Sequence, residues 1–428
     1  MQTITGSIYP INFEGITIDA DRAGRYIEVP TADTLTIFER VGVQESDIAL
    51  NELGLYSNVR LNGRKTVKFG RIKAPEHVLQ SRKNGCVWNP KGRIRQDVDE
   101  FPTCPDEVNM EICPDAWWND CYEQLYGSGN KVRDMLGTPQ GAQMMQMLLS
   151  VAYEGVGNSF SQQFHFANHP FIEAANTEGF YNKDDGTGTD ELAWADYYDQ
   201  QTGIDCAGII TIIDALANEG VDGYNIEIPD SDIDDVTNEY TGDIIALFNL
   251  LISRTKGAFS KWITNGARVR GVTAAQNSLY RATNGKVFPI ILCTAPEFQA
   301  YEDYLVATFG TIPAIYQFFL TGTDGTGVLM PGVLRYKGMA VVKWDEVGTF
   351  DSIVGTTSHR VAIAAPGVFG VAYDIEDLAM YRGMGMRITQ KLEPPYQGKI
   401  FMDTTFRWGA GLIDKDFMVM ASNIRVVE

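Results

Sequence analysis

Charge in this 428-residue chain is sorted into two opposed blocks, and that sorting limits what each block can fold into. From Arg60 to Arg95 eleven bases (Arg60, Arg64, Lys65, Lys68, Arg71, Lys73, Arg82, Lys83, Lys91, Arg93 and Arg95) stand against one acid, Glu76. From Glu173 to Asp243 nineteen acids stand against one base, Lys183, and this stretch carries nearly all of the formal net charge of −20. A long, basic, thinly apolar stretch has no core of its own and must be held by something else. Such a chain carries its own electrostatic complement. A basic segment that projects from the body can lie on the acidic face of a second copy, and head-to-tail contacts of that kind close into rings where the rotation permits. A basic hairpin folded onto its own surface would satisfy the same pattern, so charge alone leaves both arrangements open.

The length allows a substantial core and two or three subdomains. Apolar stretches such as Val287 to Cys293 and Val361 to Ala365 fall short of the ~18 residues needed to cross a bilayer, so no membrane span is expected. Residues 1–15 lack a positive region followed by an apolar core, so no secretory signal is expected and a cytoplasmic location is the default. The six cysteines, at positions 86, 104, 113, 121, 206 and 293, form no Cys-x-x-Cys pair. Cys104, Cys113 and Cys121 invite a metal or disulfide reading by proximity, but the expectation is buried structural thiols.

Residues before position 58 read as an arm of short strands, Ile16 to Asp19, Tyr26 to Val29 and Leu35 to Phe38, broken by turn residues. From Val59 to Val98 the pattern predicts an extended hairpin turning at Asn84-Gly85. Thr138 and Pro139 suit a helix start, and Ala142, Met145, Leu148, Ala152 and Val156 recur at helical steps through Phe160. That methionine-bearing stripe reads as core or subunit packing. Thr241 is the expected cap of a second helix, with Asp243 in its first turn and Ile245, Phe248 and Ile252 on one face. An apolar strand, Val287 to Cys293, runs into a third helix, for which Thr294 and Glu297 have capping-box spacing, through about Thr308. The remainder predicts mostly antiparallel strands, with turns at Gly338, Pro366-Gly367, Pro394-Pro395 and Gly409.

Chemistry-bearing motifs are scarce. Gly285-Lys286 is followed by Val287 and Gly398-Lys399 by Ile400, so neither makes a phosphate-cradling loop. No Gly-x-Ser-x-Gly elbow occurs. His165 and His169 have metal-binding spacing, but Phe166 stands where a zincin has glutamate and Pro170 ends the helix. The acidic loops at 182–188 and 229–235 could hold calcium, yet neither fits the twelve-residue loop that makes such a reading specific, and solvated loops or an intersubunit patch fit better. A carboxylate pair for glycoside hydrolysis needs only two acids at the right separation, which spacing in sequence does not reveal.

The order of segments resembles the major capsid protein of tailed double-stranded DNA bacteriophages, a fold shared with encapsulins and the herpesvirus capsid floor. The local likeness lies in Phe288-Pro289-Ile290-Ile291-Leu292 with its following helix, Tyr336-Lys337-Gly338-Met339-Ala340-Val341-Val342, Phe369-Gly370-Val371-Ala372-Tyr373-Asp374, and Phe406-Arg407-Trp408-Gly409-Ala410-Gly411-Leu412-Ile413. The resemblance implies an α+β fold with an N-terminal arm (1–58), an extended basic hairpin loop (59–115) and a long spine helix. The spine helix opens residues 116–172, which also begin the peripheral domain. An acidic insertion or peripheral loops (173–241), an axial domain with flanking helices (242–358) and C-terminal strands completing both domains (359–428) would follow. It implies no catalytic residue, cofactor or metal.

The implied role is self-assembly into hexamers and pentamers of an icosahedral shell around double-stranded DNA, in the virion, after assembly in the host cytoplasm. Implied partners are further copies and portal, scaffolding and decoration proteins; with no long charged helical segment ahead of the arm, the expectation is a separate scaffolding protein or none. DNA would be held without sequence specificity and without tight binding by an acidic protein. The loop bases named above would contact an acidic patch in a neighbour, formed by Asp184, Asp185, Asp190, Glu191, Asp230, Asp232, Asp234 and Asp235, while Met145, Leu148, Ala152 and Val156 would pack the spine helix. An encapsulin-like cargo shell and a carbohydrate-active hydrolase are the alternatives.

Overall fold

The computed structural model of the chain describes residues 17–19, 25–30, 53–60, 66–73, 95–112, 163–169, 207–265, 288–321, 327–375, 384–390 and 400–426. In chain order the elements are β1 (Thr17–Asp19), β2 (Arg25–Pro30), β3 (Tyr56–Arg60), β4 (Thr66–Lys73), β5 (Arg95–Pro102), β6 (Cys104–Ile112), α1 (Ile209–Asn218), β7 (Ile226–Glu227), α2 (Ile244–Arg254) and α3 (Gly257–Asn265). They continue as β8 (Ile290–Cys293), α4 (Ala295–Phe309), β9 (Gln317–Thr321), β10 (Gly327–Tyr336), β11 (Met339–Lys343), α5 (Asp345–Val354), β12 (Thr356–Ala364), β13 (Phe369–Ile375), β14 (Met384–Gln390), β15 (Ile400–Leu412) and β16 (Met418–Val426). The architecture is α+β, with two mixed sheets and a separate two-stranded ribbon.

One sheet, called here the covered sheet, runs β7-β16-β12-β8-β11-β10-β9. Its central strands read as unbroken apolar runs because both faces are buried, so no polar alternation is needed. Ile290 and Leu292 of β8 join a cluster with Ile209, Ile213 and Leu216 of α1 and with Val347 and Phe350 of α5. The intervening Ile291 and Cys293 join the opposite cluster, with Leu247, Phe248 and Leu251 of α2 and Phe298, Tyr301 and Leu305 of α4. Each such side chain contributes ~1.5–3 kcal/mol by leaving water. The β10–β11 hairpin turns through Lys337 (φ 48°) and Gly338 (φ 91°), the two positive φ angles that a tight two-residue hairpin requires.

The other sheet runs β1-β2-β14-β15-β13-β3, with β6 also on β15. Register places β6 along one edge of β15, while β14 and β13 divide the opposite edge between them. The arm strands β1 and β2 therefore enter a sheet through β14. Trp408, Phe369 and Val371 belong to the same buried cluster as α1, so one core joins the two sheets.

Several expectations change. The α2 cap is Asp243, whose carboxylate accepts the N–H groups of Ile245 and Ala246, while the Thr241 N–H donates to the Asp232 carbonyl. The buried face of α2 centres on Ile244, Leu247, Phe248 and Leu251. Thr294 stands at the start of α4 but closes no capping box: its hydroxyl donates to the Glu297 carboxylate and accepts the Arg360 N–H at 2.9 Å, because β12 runs alongside. Gly409 is no turn; it lies within β15 opposite Ala372. Cys104 is disulfide-bonded rather than free, to a partner outside the described residues, whereas Cys293 is a free buried thiol.

Part of the acidic stretch is core: α1 buries Ile209, Ile210, Ile213 and Leu216. The helix expected from Thr138 to Phe160, with Met145, Leu148, Ala152 and Val156, lies outside the described residues, as do the Asn84-Gly85 and Pro394-Pro395 turns and the strand expected at Leu35 to Phe38. Residues 163–166 are helical and end before Pro170. His165 and His169 then diverge, His165 to the Tyr56 hydroxyl at 2.8 Å and His169 to Asp214 at 3.0 Å.

Candidate assembly interface

The basic hairpin grows out of the arm-bearing sheet. β3 lies parallel to β13, with Arg60 opposite Tyr373, so Arg60 belongs to the root and not to the projecting part. β4 and β5 pair only with each other among the described residues, from Thr66 opposite Pro102 to Lys73 opposite Arg95. β6 then returns the chain to the sheet, with Cys104 opposite Trp408. Both strands of the ribbon thus join one sheet at the Thr66/Pro102 end, which supplies the support that an isolated ribbon lacks.

Within the ribbon, register sets bases opposite acids at two positions, Lys68 opposite Glu100 and Arg71 opposite Asp97. Such cross-strand pairs are the stabilising unit of a sheet. Four bases (Lys68, Arg71, Lys73, Arg95) meet three acids (Asp97, Asp99, Glu100) within β4 and β5. The other bases of the segment, Arg64, Lys65, Arg82, Lys83, Lys91 and Arg93, lie outside the described residues. The three acids follow within five residues of Arg95, and a charge count ending at Arg95 misses them.

On the acidic side, Asp184, Asp185, Asp190 and Glu191 lie outside the described residues. Asp230, Asp232, Asp234 and Asp235 form a solvent-facing turn before α2. Arg425 of β16 donates to Asp230 at 2.9 Å and to Asp235 at 2.7 Å. Hydrogen bonds from Asn423 and Arg425 hold the Asp230 carboxyl below its ordinary range. Asp234 accepts the N–H groups of Thr237 and Val236, which lowers its pKa likewise. Val236 at the crest of this turn is 89% exposed. One arginine thus serves two of the four carboxylates, and the turn stays net negative.

The buried charges do a different job. Adjacent residues His359 and Arg360 of β12 point to opposite faces of the covered sheet, as strand geometry requires. Arg360 grips Asp214 of α1 through both terminal nitrogens, one at 2.9 Å, and Asp214 also pairs with His169. His359 meets Glu297 of α4 at 2.6 Å on the other side. Burial is the largest influence on Asp214 and raises its pKa, but Arg360 and His169 together outweigh it, leaving the carboxyl below its usual range. Burial lowers the His169 pKa against the opposing pull of Asp214. These pairs staple helices to both faces. Asp214 and Glu297, on opposite sides of a sheet and each held by a base, cannot flank one glycosidic bond. The signal for the staples in the sequence is the adjacent His359-Arg360 pair inside an apolar strand, which matches no catalytic motif.

Among the described residues, no group of three or more His, Cys, Asp or Glu side chains is arranged to hold a metal ion, and no helix is long and apolar enough to cross a membrane. No family model and no curated protein matches the chain. Solved structures similar to it include the procapsid of satellite phage P4 with its size determination (Sid) protein, at 8% identity over 92% of this chain and 92% of that chain, with a TM-score of 0.46. The cyanophage A-1(L) capsid asymmetric unit is similar at 12% identity over 90% and 93%, with a TM-score of 0.40. The cyanophage Pam1 capsid asymmetric unit is similar at 11% identity over 90% and 94%, with a TM-score of 0.39.

Proposed function

We propose that this chain is a major capsid protein, a structural subunit that assembles with copies of itself into hexamers and pentamers of an icosahedral shell around double-stranded DNA. The observation that carries the reading is the ribbon β4–β5, whose Thr66/Pro102 end is flanked on both strands by strands of one sheet and which pairs with no third strand among the described residues. Its place in the chain, after an arm and ahead of the helix-covered sheet, follows the segment order in which the sequence resembles that family. In this role the loop bases Arg64, Lys65, Arg82, Lys83, Lys91 and Arg93 reach the acidic turn of a neighbour. Charge gives that contact its orientation, while buried apolar area supplies most of its energy. With a net charge of −20, the shell confines DNA mechanically and does not bind it tightly. The virion is its destination, with assembly in the host cytoplasm and portal, scaffolding and decoration proteins as further partners.

Purified protein examined by light-scattering chromatography and negative-stain microscopy across a salt series tests this. Rings or closed shells that form more slowly as salt rises are expected. A monomer at every salt concentration, also when expressed with the scaffolding protein of its own genome, would refute the reading. An enzyme co-purifying inside the shell, in place of nucleic acid, would move it to an encapsulin-like container.

A further inference from the structure

The root of the ribbon is fixed by one aromatic ring on two glycines. Gly370 of β13 and Gly411 of β15 are paired across neighbouring strands, so hydrogens on one face of the sheet stand where two side chains would be. A Cβ placed on Gly411 would come within 2.9 Å of the Phe101 ring, and one on Gly370 within 3.1 Å of it and 3.0 Å of Ile413. Real Cβ atoms essentially never come as close as the Gly411 distance and rarely as close as those at Gly370, so the ring occupies the space that the glycines leave. Neither glycine has a positive φ. Backbone conformation therefore does not demand glycine at either position; the close approach of Phe101 does.

Phe101 is only 8% exposed and is the penultimate residue of β5, opposite Val67. It precedes Thr103 and Cys104, both buried, and the first residue of β6. The ring thus sits where the chain passes from the projecting ribbon back into the sheet.

We infer that Phe101, seated in the Gly370–Gly411 socket, is the positioning residue that sets the direction in which the basic ribbon leaves the sheet. The role in assembly rests on the capsid reading: a ribbon aimed differently meets its neighbour at a different angle, and the shell closes differently or fails to close. The seat itself does not depend on that reading. A methyl at Gly411 must displace the ring, and with it the root of β5, because overpacking a filled site forces side chains and backbone to shift.

Two measurements separate the parts. In a double-mutant cycle followed by thermal unfolding, Gly411→Ala lowers the melting temperature by roughly 2 °C or more. The same substitution in a Phe101→Ala background produces no further fall, since the ring it would strike is gone. An equal fall in both backgrounds overturns the socket. Hydrogen exchange at residues 95–104 of the folded Phe101→Leu protein is expected to quicken relative to the wild type, and unchanged protection there overturns the positioning role. In assembly, folded Gly411→Ala protein yields misshapen or missing shells; shells of wild-type size and shape would sever the socket from curvature. A wild type that never assembles would fail the capsid reading, while the cycle and the exchange data would still judge the seat.

Discussion

The covered sheet and the ribbon-bearing sheet spend charge in opposite ways. On β12, His359 and Arg360 are fully buried and each meets a carboxylate on a helix, one on either face. On β4 and β5, charge runs along a projecting ribbon and is half-cancelled strand against strand. In the first region ion pairs fix which helix lies where; in the second, register sets Lys68 opposite Glu100 and Arg71 opposite Asp97 along a two-stranded ribbon. A buried pair is costly to break because the surviving charge has no water to turn to, whereas an exposed pair is worth little and fades with salt. The two regions should therefore respond very differently to the same kind of substitution.

The largest effect is expected in the covered sheet. Arg360→Ala strands the Asp214 carboxylate between α1 and β12 and should lower stability by ~3–5 kcal/mol, read from chemical denaturation. A loss no larger than that of a surface substitution would break the contrast.

Acidification comes next, with a sign that the same groups fix. His169 has a lowered folded pKa, so the unfolded chain takes up that proton first as pH falls through the ordinary histidine range near ~6.5, and stability drops. Asp214, also lowered when folded, contributes stability that is full above the ordinary aspartate pKa of ~3.9 and is lost as pH falls further, through its folded value. Asp351 runs the other way. Burial raises its pKa despite hydrogen bonds from Ser358 and Thr356, so acid relieves part of its cost. The net expectation is a stability that declines from neutral pH towards acid, with His169→Gln flattening the upper part of the decline. A midpoint that rises between pH 7 and pH 5 would contradict it.

The ribbon sharpens the comparison through two sets of reversals. Changing Lys68 and Arg71 to glutamate places like charges opposite Glu100 and Asp97, so the ribbon itself should loosen, seen as faster amide exchange in β4 and β5. Changing Arg64, Lys65, Arg82 and Lys83 leaves that register intact, so folding should survive. The smallest effect belongs to Arg425→Ala. Its partners Asp230 and Asp235 are 77% and 86% exposed, and its melting temperature should stay within experimental scatter of the wild type at moderate salt.

What the sequence disclosed follows from the range of the forces involved. The apolar run at β8, the strands of the last hundred residues and the tight turn at Gly338 are local signals, and the structure has them within a few residues. The Asp243 cap differs from the expected Thr241 because two oxygen-bearing residues stood close together and only geometry chose between them. Gly409 resembled a turn in sequence; in the fold Gly409 and Gly411 lie near the end of the longest described strand, where the missing side chain of Gly411 admits a ring from a residue some three hundred positions earlier. No periodicity reports such a contact. Charge blocks were visible at once, but which charges face one another across β4 and β5 depended on register, which charge counts alone do not give.

The most direct test of the account is the assembly state of the Arg64, Lys65, Arg82 and Lys83 reversal beside that of the wild type, by light scattering and negative-stain microscopy at low salt. The account expects shells or rings from the wild type and folded, unassembled subunits from the variant. Shells from the variant with normal size and yield would contradict the claim that these bases join one copy to the next.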